Sequence, residues 1–103
     1  MDTLMMIKAL GNEARYNILV WLKDPARHFE PQAHMPSGCD FAGGVCVSSI
    51  SGKAGLAQSV VSGYLNQLLK AGLLESRRVG QWTYYRRNEE GIRRLVEQLQ
   101  KEL

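Results

Sequence analysis

Val47–Arg87, VSSISGKAGLAQSVVSGYLNQLLKAGLLESRRVGQWTYYRR, is the stretch whose reading decides the architecture. Val61, Leu65, Leu68 and Leu69 recur at i, i+4, i+7 and i+8, so Gln58–Ala71 reads as a helix with one apolar stripe. Gln58, Ser59, Ser62, Gly63 and Asn66 fall on its other side. That side is short, uncharged and rich in hydrogen-bonding groups, where a merely solvated face would carry Lys and Glu. Val47–Ala54 can form a short helix around Ile50 and Ala54, and Gly55-Leu56-Ala57 supplies a tight turn between the two. Two short helices joined by a Gly-bearing turn make a helix-turn-helix. Leu73–Val79 and Trp82–Arg87, rich in β-branched, aromatic and Arg residues, flank Gly80-Gln81 and read as a two-stranded hairpin, the wing.

Charge is concentrated on this stretch. Between Gln58 and Arg87, Lys70, Arg77, Arg78, Arg86 and Arg87 stand against Glu75 alone, whereas residues 1–57 are balanced and 88–103 carry one net negative charge. The excess of the whole chain, +3, therefore sits on the second helix and the wing. Such clustering is the footprint of a polyanion-binding surface. An α-helix fits the major groove of a duplex, where each base pair shows its own donor and acceptor pattern. Gln58, Ser59, Ser62 and Asn66 are the expected base readers, with Gly63 allowing close approach. Lys70, Arg77, Arg78, Arg86 and Arg87 are expected to neutralise phosphates, with Gln81 at the wing tip reaching the minor groove. Trp82, Tyr84 and Tyr85 read as wing-packing residues rather than base-stacking ones.

The flanks complete the arrangement. Asp2–Leu10 is a short apolar helix, and Glu13–Lys23 is a second, capped by Asn12 and stopped by Pro25. Asn88 caps a last helix whose seam is Ile92, Leu95, Val96, Leu99 and Leu103. With Leu4 and Met5 of the first helix, Ile92, Leu95, Val96 and Leu99 are expected to build a two-fold dimer interface. The whole chain of 103 residues, 45% of them hydrophobic, is long enough for one compact domain with a small core. It divides into N-terminal helices (1–24), a long loop (25–45), the helix-turn-helix (47–71), the wing (73–87) and a dimerisation helix (89–103). The expected fold is mainly α with a small β-hairpin, a dimeric winged helix-turn-helix of order α-α-α-α-β-β-α. No apolar run approaches a membrane span and no signal peptide precedes the first helix, so the chain reads as soluble and cytoplasmic.

The loop holds all three prolines, both histidines and Cys39. Its length is that of a functional or an unstructured connection. His28, His34, Cys39 and Cys46 match no paired spacing that orders a tetrahedral zinc site, so neither a metal nor another cofactor is expected. Cys46 lies at the start of a helix, where a thiol is acidified. A Cys39–Cys46 disulfide would stabilise by roughly 2–3 kcal/mol and could fix the loop against the reading head. The alternative is a small buried hydrophobe between Val45 and Val47. Catalysis has no support: there is no Ser-His-Asp pattern, phosphate loop or paired carboxylates on a helix face. A winged helix used as a protein-protein interaction module, without a sensing role, is the competing reading.

Leu10-Gly11-Asn12-Glu13-Ala14-Arg15, then Gln58-Ser59-x-Val61-Ser62, Leu65, Leu68, Ala71-Gly72-Leu73-Leu74, Arg77-Arg78, Gly80 and Tyr84-Tyr85, in this order and spacing, resemble the ArsR family of bacterial winged-helix repressors. The resemblance covers nearly all of the chain outside the long loop. It implies a homodimer that binds a palindromic operator in double-stranded DNA, as an autoregulated repressor, and releases it when an inducer arrives. Three departures stand out. Metal-sensing members carry Cys-Val-Cys where this chain has Cys46-Val47-Ser48. The last helix lacks the His of a second metal cluster. Ala57 replaces a Ser that often caps the recognition helix, a loss of about 1 kcal/mol. The resemblance thus extends to the fold but not to heavy-metal sensing, and the inducing signal is left open.

Overall fold

The apolar stripe of Gln58–Lys70 is the centre of the core: Val61, Leu65 and Leu68 are wholly buried. The computed structural model describes residues 2–32 and 41–103. In chain order these form α1 (Thr3–Leu10), α2 (Glu13–Lys23), α3 (Pro25–His28), β1 (Val45–Cys46), α4 (Val47–Ala54), α5 (Gln58–Lys70), β2 (Leu74–Val79), β3 (Trp82–Arg87) and α6 (Glu89–Glu102). Around α5 pack Met6 and Ala9 of α1, Ile18, Leu19 and Leu22 of α2, Ile50 of α4 and Leu95 of α6.

Local chemistry sets the ends of these helices. Asp2 accepts from the backbone N–H groups of Leu4 and Met5, and Asn12 from that of Arg15. Asn88 accepts from Gly91 N–H while its amide donates to the Gly72 carbonyl, so one side chain both starts α6 and fastens it behind α5. The start of α5 differs: Ala57 is the cap residue and makes no side-chain hydrogen bond. Its backbone is already extended, at φ −60° and ψ 143°. Ala57→Ser is therefore expected to raise stability by about 1 kcal/mol, about 4–8 °C in a thermal melt at fixed protein concentration.

Three expectations are corrected. Residues 25–45 are not wholly irregular. Pro25 ends α2 and then serves as the first residue of α3, where a missing N–H costs nothing. The sheet has three strands, not two: β1 pairs antiparallel with β3, Val45 opposite Tyr85 and Cys46 opposite Tyr84, giving the order β1-β3-β2. Finally, Leu95 is not available to a partner subunit, because it is buried in the protomer's own core. Ile92 and Leu99 are half-buried against that core. Val96 remains 50% exposed and, on α1, Leu4 57%. Met5 and Ile7 are exposed as well. Among the described residues no helix is long and apolar enough to cross a membrane.

Candidate nucleic-acid interface

The turn between α4 and α5 is closed by backbone alone. Gly55 adopts φ 68°, and the N–H groups of Gly55 and Leu56 both reach the Ser51 carbonyl, at 2.9 and 3.3 Å. A side chain at position 55 would strain this left-handed conformation. The short turn brings α5 out of the core with its apolar stripe inward. Gln58, Ser59, Ser62, Gly63 and Asn66 are all exposed on the outer side, and Lys70 is exposed at the far end. A Cβ added at Gly63 would meet nothing within 4 Å, so the surface there is open.

The wing stands beside the first half of this helix. β2 and β3 pair from Leu74↔Arg87 to Val79↔Trp82. The two-residue connection has positive φ at Gly80 and not at Gln81, the pattern of a type II′ hairpin. Between α5, the wing and the start of α4 lies a cleft of about 320 Å³, lined by Gln58, Ser62, Gln81, Trp82, Thr83, Tyr85 and Cys46–Ser48. Tyr84 is buried with Phe41 and Cys46, and Trp82 packs on that cluster. Trp82, Tyr84 and Tyr85 pack within the wing and against the core.

Strand alternation sorts the basic residues. Arg77 and Arg86 lie on the face that meets Phe41, with guanidinium carbons 5.1 and 4.1 Å from its ring centre. Arg86 also donates to Glu75 at 2.6 Å, its cross-strand partner. Arg87 clasps Glu89 through two hydrogen bonds, of 2.9 and 3.1 Å, and its side chain is only 13% exposed. Arg86 and Arg87 are thus held at the base of the hairpin by carboxylates, contrary to the expectation that they face phosphates. Lys70, Arg77, Arg78 and Gln81 are the exposed members of that set. Arg78 donates to the Gly80 carbonyl at 3.2 Å and so lies along the tip.

Phe41 and Gln32 were not singled out by sequence, and both tie residues 25–45 to this surface. Phe41 is buried beneath the two arginines. Gln32 accepts from the Cys46 N–H at 3.0 Å and its amide lies 3.5 Å from the Ser49 hydroxyl. Neither carries a sequence signal, since single residues scattered through a Pro-rich segment have no period to place them.

Cys46 sits at the cap position of α4 and is buried. Its Sγ is 3.2 Å from Ser48 Oγ and 3.3 Å from Ser49 Oγ. Burial pushes the thiol pKa up, but hydrogen bonds from the hydroxyls and backbone of Ser48 and Ser49 outweigh it and hold the thiol below its ordinary range. Cys46 is thus buried, and its serine hydrogen bonds favour the charged form of its thiol. His34 and Cys39, and with them the alternative of a Cys39–Cys46 pairing, lie outside the described residues. Among the described residues no three His, Cys, Asp or Glu side chains come together as a metal site.

A short first helix, an exposed polar second helix and a basic hairpin beside it define a winged helix-turn-helix protein. Residues 43–76 match the arsR family of bacterial regulatory proteins. The chain is 46% identical over 104 residues, the full length of both proteins, to the uncharacterized HTH-type transcriptional regulator YbzH of Bacillus subtilis (strain 168). It is 33% identical over 86 residues to ArsR2 of Halobacterium salinarum, named for an arsenical resistance operon, covering 84% of this chain and 59% of that one. Among solved structures it superimposes with a TM-score of 0.66 on a homodimeric winged helix-turn-helix DNA-binding domain from Mycobacterium bovis. That pair is 29% identical and the match covers 94% of this chain and 73% of the other. The chain belongs to the ArsR family and is a DNA-binding transcriptional regulator.

Proposed function

We propose that the protein is a homodimeric repressor that reads a palindromic operator with two copies of α5 and is released by a ligand or by thiol oxidation. The observation that carries the reading is the outer side of α5, where Ser59, Ser62, Gly63 and Asn66 are exposed and uncharged. In this reading Gln58, Ser59, Ser62 and Asn66 contact base edges, while Lys70, Arg77, Arg78 and Gln81 meet the backbone and hold the register. The dimer is supported by the exposed Leu4, Met5 and Val96 on two adjacent helices, and by the homodimeric state of the M. bovis domain. Release through a thiol is supported by the acidified Cys46, whose neighbours Ser48, Gln58 and Ser62 line the same cleft.

The test is a DNA-shift titration, first on random duplex at low salt and then on the chain's own upstream promoter region, with and without oxidant. Lys70, Arg77 and Arg78, six residues per dimer, predict a slope of log affinity against log salt of about −5. Counting Arg86 and Arg87 as well would give about −9. Affinity should therefore fall by roughly three orders of magnitude between 50 and 200 mM salt. A flat dependence, or no preference for the promoter over random duplex, would remove the operator reading. Insensitivity to oxidant in both the parent and Cys39→Ser would remove the thiol branch alone.

A further inference from the structure

The outer side of α5 is polar with one exception. Val60, in the first turn, is 43% exposed although it is β-branched and wholly apolar. It lies about 60° round the helix from Gly63, on the same outward half as Ser59 and Asn66. It lies about 100° round the helix from the Val61, Leu65 and Leu68 stripe that enters the core, on the flank of the reading side. Gly63, one turn on, has no side chain to cover it, and the space above Gly63 is open. The valine methyls are therefore bare at the end of the helix that enters a groove first.

Single exposed apolar residues are common on protein surfaces; Val60 stands out because its outward neighbours Ser59, Asn66 and Gln67 are polar and it sits in the first turn of the reading helix. The apolar group that a major groove offers is the C5-methyl of thymine, which no other base of unmodified DNA displays. We infer that Val60 is a specificity-determining residue that recognises a thymine methyl in each operator half-site, on the flank of the reading helix opposite Ser62 and the wing. This inference rests on the operator reading above and adds a base identity to it. Because a methyl contact needs no partner geometry, it also tolerates either strand bearing the thymine, provided its methyl comes within reach.

The experiment removes the methyl rather than the base. Preferred duplexes are enriched from a random pool with the parent protein, and each thymine of the winning sequence is replaced in turn by uracil. Parent, Val60→Ala and Val60→Thr are then titrated against the series. Val60 is exposed, so Val60→Ala should fold, and Val60→Thr keeps the shape while exchanging one methyl for a hydroxyl. One thymine per half-site should cost the parent about fourfold when changed to uracil, the worth of one buried methyl group, and about fifteenfold when both half-sites are changed. In Val60→Ala the same uracil duplexes should bind as tightly as the thymine ones, and Val60→Thr should retain a reduced difference. Indifference of the parent to every uracil, or an equal cost in Val60→Ala, would overturn the inference while leaving the operator reading intact. Failure of the parent to enrich any sequence would overturn both.

Discussion

Ser62→Glu is expected to abolish sequence-selective DNA binding, with an affinity loss of about 100-fold or more, while the melting temperature stays within a few degrees of the parent. Ser62 is exposed in the second turn of α5 and beside the wing cleft, so a longer side chain has room and no core contact is lost. Glu is also a better helix former than Ser. Against DNA the change acts twice. It removes a hydroxyl able to bond a base edge, worth about 1–3 kcal/mol, and it points a carboxylate at a polyanion, a like-charge juxtaposition that costs several kcal/mol. A shift titration beside a circular-dichroism melt separates the effects. Undiminished binding by a folded Ser62→Glu variant would mean that this side of α5 does not face the duplex.

The second large effect is on folding. Leu65 is wholly buried at the centre of the stripe through which α5 joins the core. Leu65→Ala leaves a cavity beneath the reading helix and should destabilise by about 2–5 kcal/mol. Domains of this size have only about 5–15 kcal/mol in total. The melting temperature should fall by about 8–40 °C, measured at fixed protomer concentration because dimerisation contributes to stability. Near-parental stability would show that the core is anchored elsewhere.

How far residues alone disclose this molecule depends on whether a feature repeats. The apolar period of α5 runs through thirteen residues, and its exposed side follows by elimination. The wing was legible because Gly80-Gln81 interrupts two runs of strand formers. β1 was not, because two residues hold no alternation to detect. α3 was hidden by Pro25, which reads equally well as the end of one helix and the beginning of another. Leu95 shows a different limit: a helical seam says which residues avoid water, but not whether the protomer or its partner covers them. Arg86 and Arg87 were misplaced because their partners, Glu75 and Glu89, become neighbours only once the strand register and the cap of α6 are known. Val60 was within reach of the same helical projection that exposed Ser59, but it was placed in neither the apolar stripe nor the polar side.

The hydrogen bond between Gln32 and the Cys46 amide has a mechanical meaning. α4 is gripped at its first turn by a residue from the Pro-rich segment and leads at its last turn into a three-residue link to α5. Its eight residues span about 12 Å. Gln32 thus helps set where α4 begins, while Ile50, wholly buried midway along it, fixes the same helix to the core that carries α5.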